Sequence, residues 1–212
     1  GLVRGASKGE GLGNTFLSHI RNVDAIIHVL RCFQDSNVSH VEGSIDPIRD
    51  IEIIETELLI KDIESCEKRL AKSSKKAKSG DKKAILEKKL LEKLLIHLNK
   101  GNLLKTINFD KNEIPIIKEY NLLTFKPILY VTNVDENEIS QSTNTKLLKQ
   151  LTDFIKEKDD KSITLCGSIE MDIAMMNPND RKLFLSEYNL IEPGLHKLIR
   201  NAYELLGLET YF

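Results

Sequence analysis

Gly1-Leu-Val-Arg-Gly-Ala-Ser-Lys-Gly-Glu-Gly-Leu-Gly13 opens the chain, and how these residues are read decides the fold. Glycines recur at positions 1, 5, 9, 11 and 13, so the backbone there can take positive φ and change conformation at little steric cost. An amphipathic run follows (Leu12, Phe16, Leu17, Ile20), and then an almost unbroken apolar one, Ala25-Ile-Ile-His-Val-Leu-Arg-Cys-Phe33. A flexible loop, a helix and a buried strand in that order have the form of the mobile switch of a nucleotide-binding α/β domain.

Working outward, three segments read as strands buried on both faces: Ala25–Phe33, Ile128–Thr132 and Ile163–Cys166. Such Ile/Val/Leu runs suit a parallel sheet covered by helices. The crossover between the first two is far longer than one helix requires, so it holds an insertion. That insertion starts at Asp46-Pro47, a cap residue followed by proline at the first helical position. Apolar residues then recur at Ile51, Ile54, Leu58, Ile63 and Leu70. A second stripe carries Leu86, Leu90, Leu91, Leu94, Leu95 and Leu98, and the polar stretch Lys72–Lys83 separates the two. Two such stripes predict an antiparallel hairpin of coiled-coil type. Further helices are predicted near Glu113–Tyr120, at Thr145–Lys158, after Asn177-Pro178, and from Pro193 to Leu206, closed by Gly207.

Composition narrows the function. At 212 residues the chain can bury one core or two. A net charge of −1 supplies no global field for nucleic acid or membrane, so neither DNA nor a membrane is an expected partner. No apolar run approaches the roughly 18 residues of a membrane span. Cys32, Cys66 and Cys166 show no paired spacing; scattered thiols fit a reducing, cytoplasmic setting. Cys32 and Cys166 sit in apolar runs and are expected to be buried and inert.

The opening stretch closely resembles the second switch of YchF-type (Obg-like) P-loop ATPases, with Gly1 as the glycine of an Asp-x-x-Gly motif. The resemblance continues through Asp24-Ala25, His28-Val29, Arg31-Cys32-Phe33, His40-Val41, Asp50-Ile51-Glu52 and Thr56-Glu57-Leu58. It returns at Lys126-Pro127, Asn133-Val134-Asp135-Glu136, Glu192-Pro193-Gly194-Leu195 and Thr210-Tyr211-Phe212. It thus covers essentially the whole chain. It implies a partial P-loop NTPase domain, a mostly parallel sheet with flanking helices, into which a helical coiled-coil arm is inserted. The expected division is 1–45 and 123–207 for the nucleotide-binding domain, 46–122 for the arm, and 208–212 for the start of a TGS domain. No G-x-x-x-x-G-K-[ST] loop occurs. The chain is therefore expected to be the middle of a longer protein, inactive alone, whose N-terminal part supplies the phosphate loop and Mg²⁺ ligands.

Asn133-Val134-Asp135-Glu136 follows an apolar strand, at the end where ligands bind in open α/β sheets. GTPases carry Asn-Lys-x-Asp there: the carboxylate accepts guanine's N1–H and exocyclic amine, and the lysine stem lies against the base. Adenine presents a bare N1 acceptor instead. Val134 and Glu136 depart from the guanine pattern at two of three positions, which favours ATP, with GTP weaker. Cys166-Gly167-Ser168 is placed like the second base-side loop. Leu2 follows the motif glycine, where Ras-type enzymes carry a water-orienting glutamine; leucine cannot hydrogen-bond. His40 is the candidate for that task, since imidazole can position water or accept its proton near neutral pH. His28, in a strand, reads as a core residue.

Lys72, Lys75, Lys76, Lys78, Lys82 and Lys83 crowd the end of the arm, where they suit solvent or RNA phosphate. The resemblance implies ribosome association, and the expected protein is a monomeric, ribosome-bound ATPase. A GTPase of the Obg group, or a non-catalytic helical RNA- or ribosome-binding module, are the alternatives.

Overall fold

A computed structural model describes residues 4–8, 13–35, 42–140 and 146–209. The described residues fall into two compact units, one drawn from Gly1–Asp24 and Glu52–Lys126, the other from Ala25–Ile51 and Pro127–Phe212. The compact units divide at 24/25, 51/52 and 126/127.

The second unit holds a parallel sheet of β1 (Ile26–Arg31), β2 (Ile128–Asn133) and β3 (Lys161–Leu165), in that order. Ile26 lies opposite Ile128 and Arg31 opposite Asn133. On the other side of β2, Leu129 faces Lys161 and Asn133 faces Leu165. One face of the sheet, Leu30, Ile128 and Tyr130, packs on Ile51 from the first turns of α2 (Pro47–Ala77) and on Leu148, Leu151 and Ile155 of α6 (Lys146–Glu157). The other face, Leu129, Val131 and Ile163, packs on Leu198 and Leu205 of α9 (Gly194–Leu205).

Only β2 is buried on both faces, contrary to the expectation for all three strands. The helix α9 lies over β2 and β3, and on the edge strand β1 the side chains of Ile27 and Val29 are 44% and 61% exposed. A continuous apolar run marks a strand but does not say how many of its faces are covered. Around the sheet stand α5 (Glu136–Ser140), α7 (Gly167–Met175) and α8 (Pro178–Glu187). Ile169, Ile173 and Leu185 from the last two close a smaller core with Cys166.

The first unit contains α1 (Gly13–Arg21), most of α2, α3 (Lys82–Leu98) and α4 (Glu113–Tyr120). Cys66, Leu90, Leu91, Leu94, Leu98, Leu104, Ile117 and Tyr120 form its core. Of the predicted stripes, only Leu86 points clearly outward. Sequence punctuation works as expected. Asp46 accepts from the Arg49 N–H at 3.1 Å ahead of Pro47, and Asn177 accepts from Asn179 and Asp180 ahead of Pro178. Asp81 caps α3 through the N–H groups of Lys83 and Ala84.

The polar link of the hairpin is shorter than the lysine run suggests. The helix α2 continues to Ala77, and only residues 78–81 turn, with Gly80 at φ +84°. Lysine and alanine are good helix formers, so charge kept these residues out of the core without ending the helix. Deeper in the unit, the Asp62 carboxylate is fully buried. It accepts from Leu123 N–H at 3.0 Å and Thr124 N–H at 2.7 Å. Burial pushes its pKa up, and these bonds oppose the shift.

Candidate nucleotide site

The two loops singled out as base-recognising lie side by side because β2 and β3 are adjacent and parallel, which brings their C-terminal ends together. Asn133 ends β2, and its Oδ1 accepts the Gly167 N–H at 2.9 Å. Val134 N–H donates to the Leu165 carbonyl at 3.0 Å, continuing the ladder one residue past the strand. Glu136 begins α5, and its Oε1 accepts the Ser168 hydroxyl at 2.8 Å. The Cys166 sulfur lies 3.1 Å from the same hydroxyl. Asp135 caps α5, accepting from the Asn137 N–H.

Asn133, Glu136, Gly167 and Ser168 therefore make one contiguous polar rim. Glu136 and Ser168 are exposed, while Asn133 and Gly167 are half-buried beneath them. Val134 is turned away, 2% exposed within the sheet core. A residue in that orientation stiffens the loop from below and leaves no stem lying along a base.

Tyr188 joins this region. Its ring packs on Phe184 at 4.9 Å. Desolvation, then the charges of Glu136 and Asp172, hold its phenol above the ordinary value. Spacing gave no sign of Tyr188, which follows α8 and packs against the small core around Cys166. Burial also governs the thiols: Cys32 is pushed up to about 12, with Glu138 and Asp50 adding to the shift, as an inert core thiol requires. His28 packs against Tyr130 at 5.6 Å, and burial lowers its pKa to about 4 against the pull of Asp50.

Gly1, Leu2 and His40 lie outside the described residues. The part of the opening stretch that is described, residues 4–8, makes a turn with Gly5 at φ +84°. It is held by Glu57 of α2, whose carboxylate accepts from Gly5 N–H at 2.7 Å and Ser7 N–H at 2.6 Å. The sequence singles out Glu57 only as part of Thr56-Glu57-Leu58, with no role attached. Lys72, Lys75 and Lys76 are exposed near the end of α2, and Lys78, Lys82 and Lys83 are exposed in the turn and the start of α3. Among the described residues no group of three His, Cys, Asp or Glu side chains could hold a metal ion. No described helix is long and apolar enough to cross a membrane.

No family model matches the chain. Curated relatives do, over its full length. The ribosome-binding ATPase YchF of Bacillus subtilis is 44% identical across all 212 residues, and that of Mycoplasma genitalium 45% over 215 aligned positions. The solved structure of the Schizosaccharomyces pombe YchF GTPase superposes with a TM-score of 0.82 at 33% identity, covering 93% of the chain and 54% of that protein. Over its whole length the chain is similar to YchF proteins. It spans 58% of the length of each of these curated relatives. The α/β fold with a three-stranded parallel sheet is thus the YchF fold over the shared region. The YchF names divide on the nucleotide: ATPase for the bacterial proteins, GTPase for the S. pombe one.

Proposed function

We propose that the intact protein is a ribosome-associated P-loop NTPase that binds and hydrolyses ATP, and that this chain carries its base-side loops, its second switch and its helical arm. The observation that supports this reading is the paired junction at the ends of β2 and β3, where Asn133 holds Gly167 and Glu136 holds Ser168. Guanine recognition needs a carboxylate open to two donors of the base. Glu136 already accepts a hydroxyl, and Val134 lies in the core instead of along the base. Asn133, Gly167, Ser168 and Cys166 then frame the adenine edge, with Glu136 fixing the second loop.

In this reading residues 1–45 and 123–207 build the nucleotide-binding domain and 46–122 the arm, with 208–212 leading into a further domain. Gly1 belongs to the nucleotide-binding set, Leu2 replaces a water-orienting glutamine with an apolar side chain, and His40 aligns the attacking water. Mg²⁺ and the phosphate loop that holds the triphosphate belong to the N-terminal part of the intact protein. The six tip lysines meet ribosomal RNA phosphate. The protein works as a cytoplasmic monomer.

Turnover and affinity of the intact protein with ATP and with GTP test this reading. ATP is expected to be preferred by about tenfold or more, the worth of one charge-assisted hydrogen bond. A GTP preference of that size overturns it in favour of an Obg-type GTPase, the reading that the S. pombe relative's name favours.

A further inference from the structure

The glycine-rich segment is not a free loop where it is described. Ala6 and Ser7 are 0% and 2% exposed, and Glu57, which reaches them from α2, is 5% exposed. Both Glu57 oxygens are engaged, one by the Gly5 N–H at 2.7 Å and the other by the Ser7 N–H at 2.6 Å. Backbone N–H bonds to a carboxylate are short and about twice as strong as neutral ones, and in a buried setting they are not exchanged for water. From the other side, Gly13 at the start of α1 presses on Ala6: a Cβ at Gly13 would stand 2.6 Å from Ala6 backbone atoms. The segment is thus seated between the first residue of α1 and one carboxylate of α2.

The seating also leaves one polar group unpaired. The Ser7 hydroxyl is buried and has no hydrogen-bond partner among the described residues. A buried, unpaired hydroxyl costs free energy, a penalty that any conformation pairing it with water or protein would escape. Gly5, at φ +84°, provides the pivot for such a change.

We propose that Glu57 is a positioning residue that ties residues 5–7 to α2, so that a nucleotide-driven rearrangement of the glycine-rich segment is passed into the helical hairpin. This rests on the reading of residues 1–13 as a nucleotide-responsive switch. The coupling is reciprocal: whatever the hairpin binds biases the switch through the same carboxylate. Glu57→Gln keeps the shape and one acceptor but turns an NH₂ donor toward an N–H donor, so one of the two bonds is lost.

Amide hydrogen exchange of the intact protein tests it, with ADP·Mg²⁺ and with a non-hydrolysable ATP analogue and Mg²⁺. In the wild type, exchange in residues 4–8 and in residues 52–77 is expected to differ between the two nucleotides. In Glu57→Gln, residues 4–8 exchange about tenfold faster and still respond to nucleotide, while residues 52–77 no longer do. Glu57→Asp keeps the charge but withdraws it by one methylene, giving an intermediate response, and serves if the glutamine variant does not fold. An undiminished response of residues 52–77 in both variants overturns the clasp. A wild type in which residues 4–8 ignore the nucleotide overturns the switch reading, and the clasp with it.

Discussion

Ser168 donates its hydroxyl to Glu136 across 2.8 Å, joining the loop after β3 to the loop after β2. This bond engages one oxygen, Oε1, of the carboxylate that a guanine-specific site would keep open to two donors. Glu136→Asp shortens the side chain by one methylene and withdraws it from Ser168. The carboxylate is then free for the two donors of guanine, and GTP affinity relative to ATP rises by about tenfold, the worth of one charge-assisted bond. Competition of ATP and GTP for the intact variant measures it. Adding Val134→Lys gains less than the guanine pattern suggests, because position 134 faces the core and a lysine there must first escape burial.

Asn133 supports both loops without needing to meet the base. Asn133→Ala removes the acceptor of the Gly167 N–H and leaves that donor half-buried. A loss of about 1–3 kcal/mol in stability is expected, with ATP and GTP affinities falling together. Denaturant unfolding and nucleotide titration of the same variant separate this from a change of specificity, which would move one nucleotide alone.

Replacing Lys72, Lys75, Lys76, Lys78, Lys82 and Lys83 with glutamate leaves the hairpin folded, since all six are exposed. If they meet RNA phosphate, co-sedimentation with ribosomes weakens by tenfold or more, and the wild type shows the steeper salt dependence. Equal binding and equal salt slopes would place the contact elsewhere.

His28 links stability to pH. Its pKa is lowered to about 4 in the folded protein, against about 6.5 unfolded. The unfolded chain therefore binds the proton more readily. His28 contributes stability that is present above about pH 6.5 and lost as pH falls through about 4, on the order of 2–3 kcal/mol across that window. In His28→Phe, which keeps a ring against Tyr130, this part of the acid limb is absent. Urea unfolding followed from pH 7 to 4 reads the difference.

How much was legible in the sequence depended on the range of the interaction. Local signals were sound: Asp46-Pro47 and Asn177-Pro178 start helices as capping demands, and Ile128–Asn133 is the central strand its apolar run implies. Signals that needed a neighbour were not. Ile27 and Val29 read as core but face outward, because burial depends on what covers a strand. Lys72–Ala77 read as a turn but continue α2, because charge excludes a residue from the core without excluding it from a helix. Val134, singled out for its place in the guanine pattern, packs inward. The contacts that organise the candidate sites, Glu136 with Ser168 and Glu57 with Gly5 and Ser7, join residues 32 to 52 positions apart. Nothing in local spacing announces such pairs.

Photoaffinity labelling with an azido-adenine nucleotide tests most directly whether these loops hold the base. The intact protein is labelled with Mg²⁺ present, with and without excess ATP, and the modified peptides are mapped. The expected result is ATP-protected label on residues 133–136 or 166–168. Protected label confined to other parts of the protein, with none on either loop, would contradict the assignment of the base site.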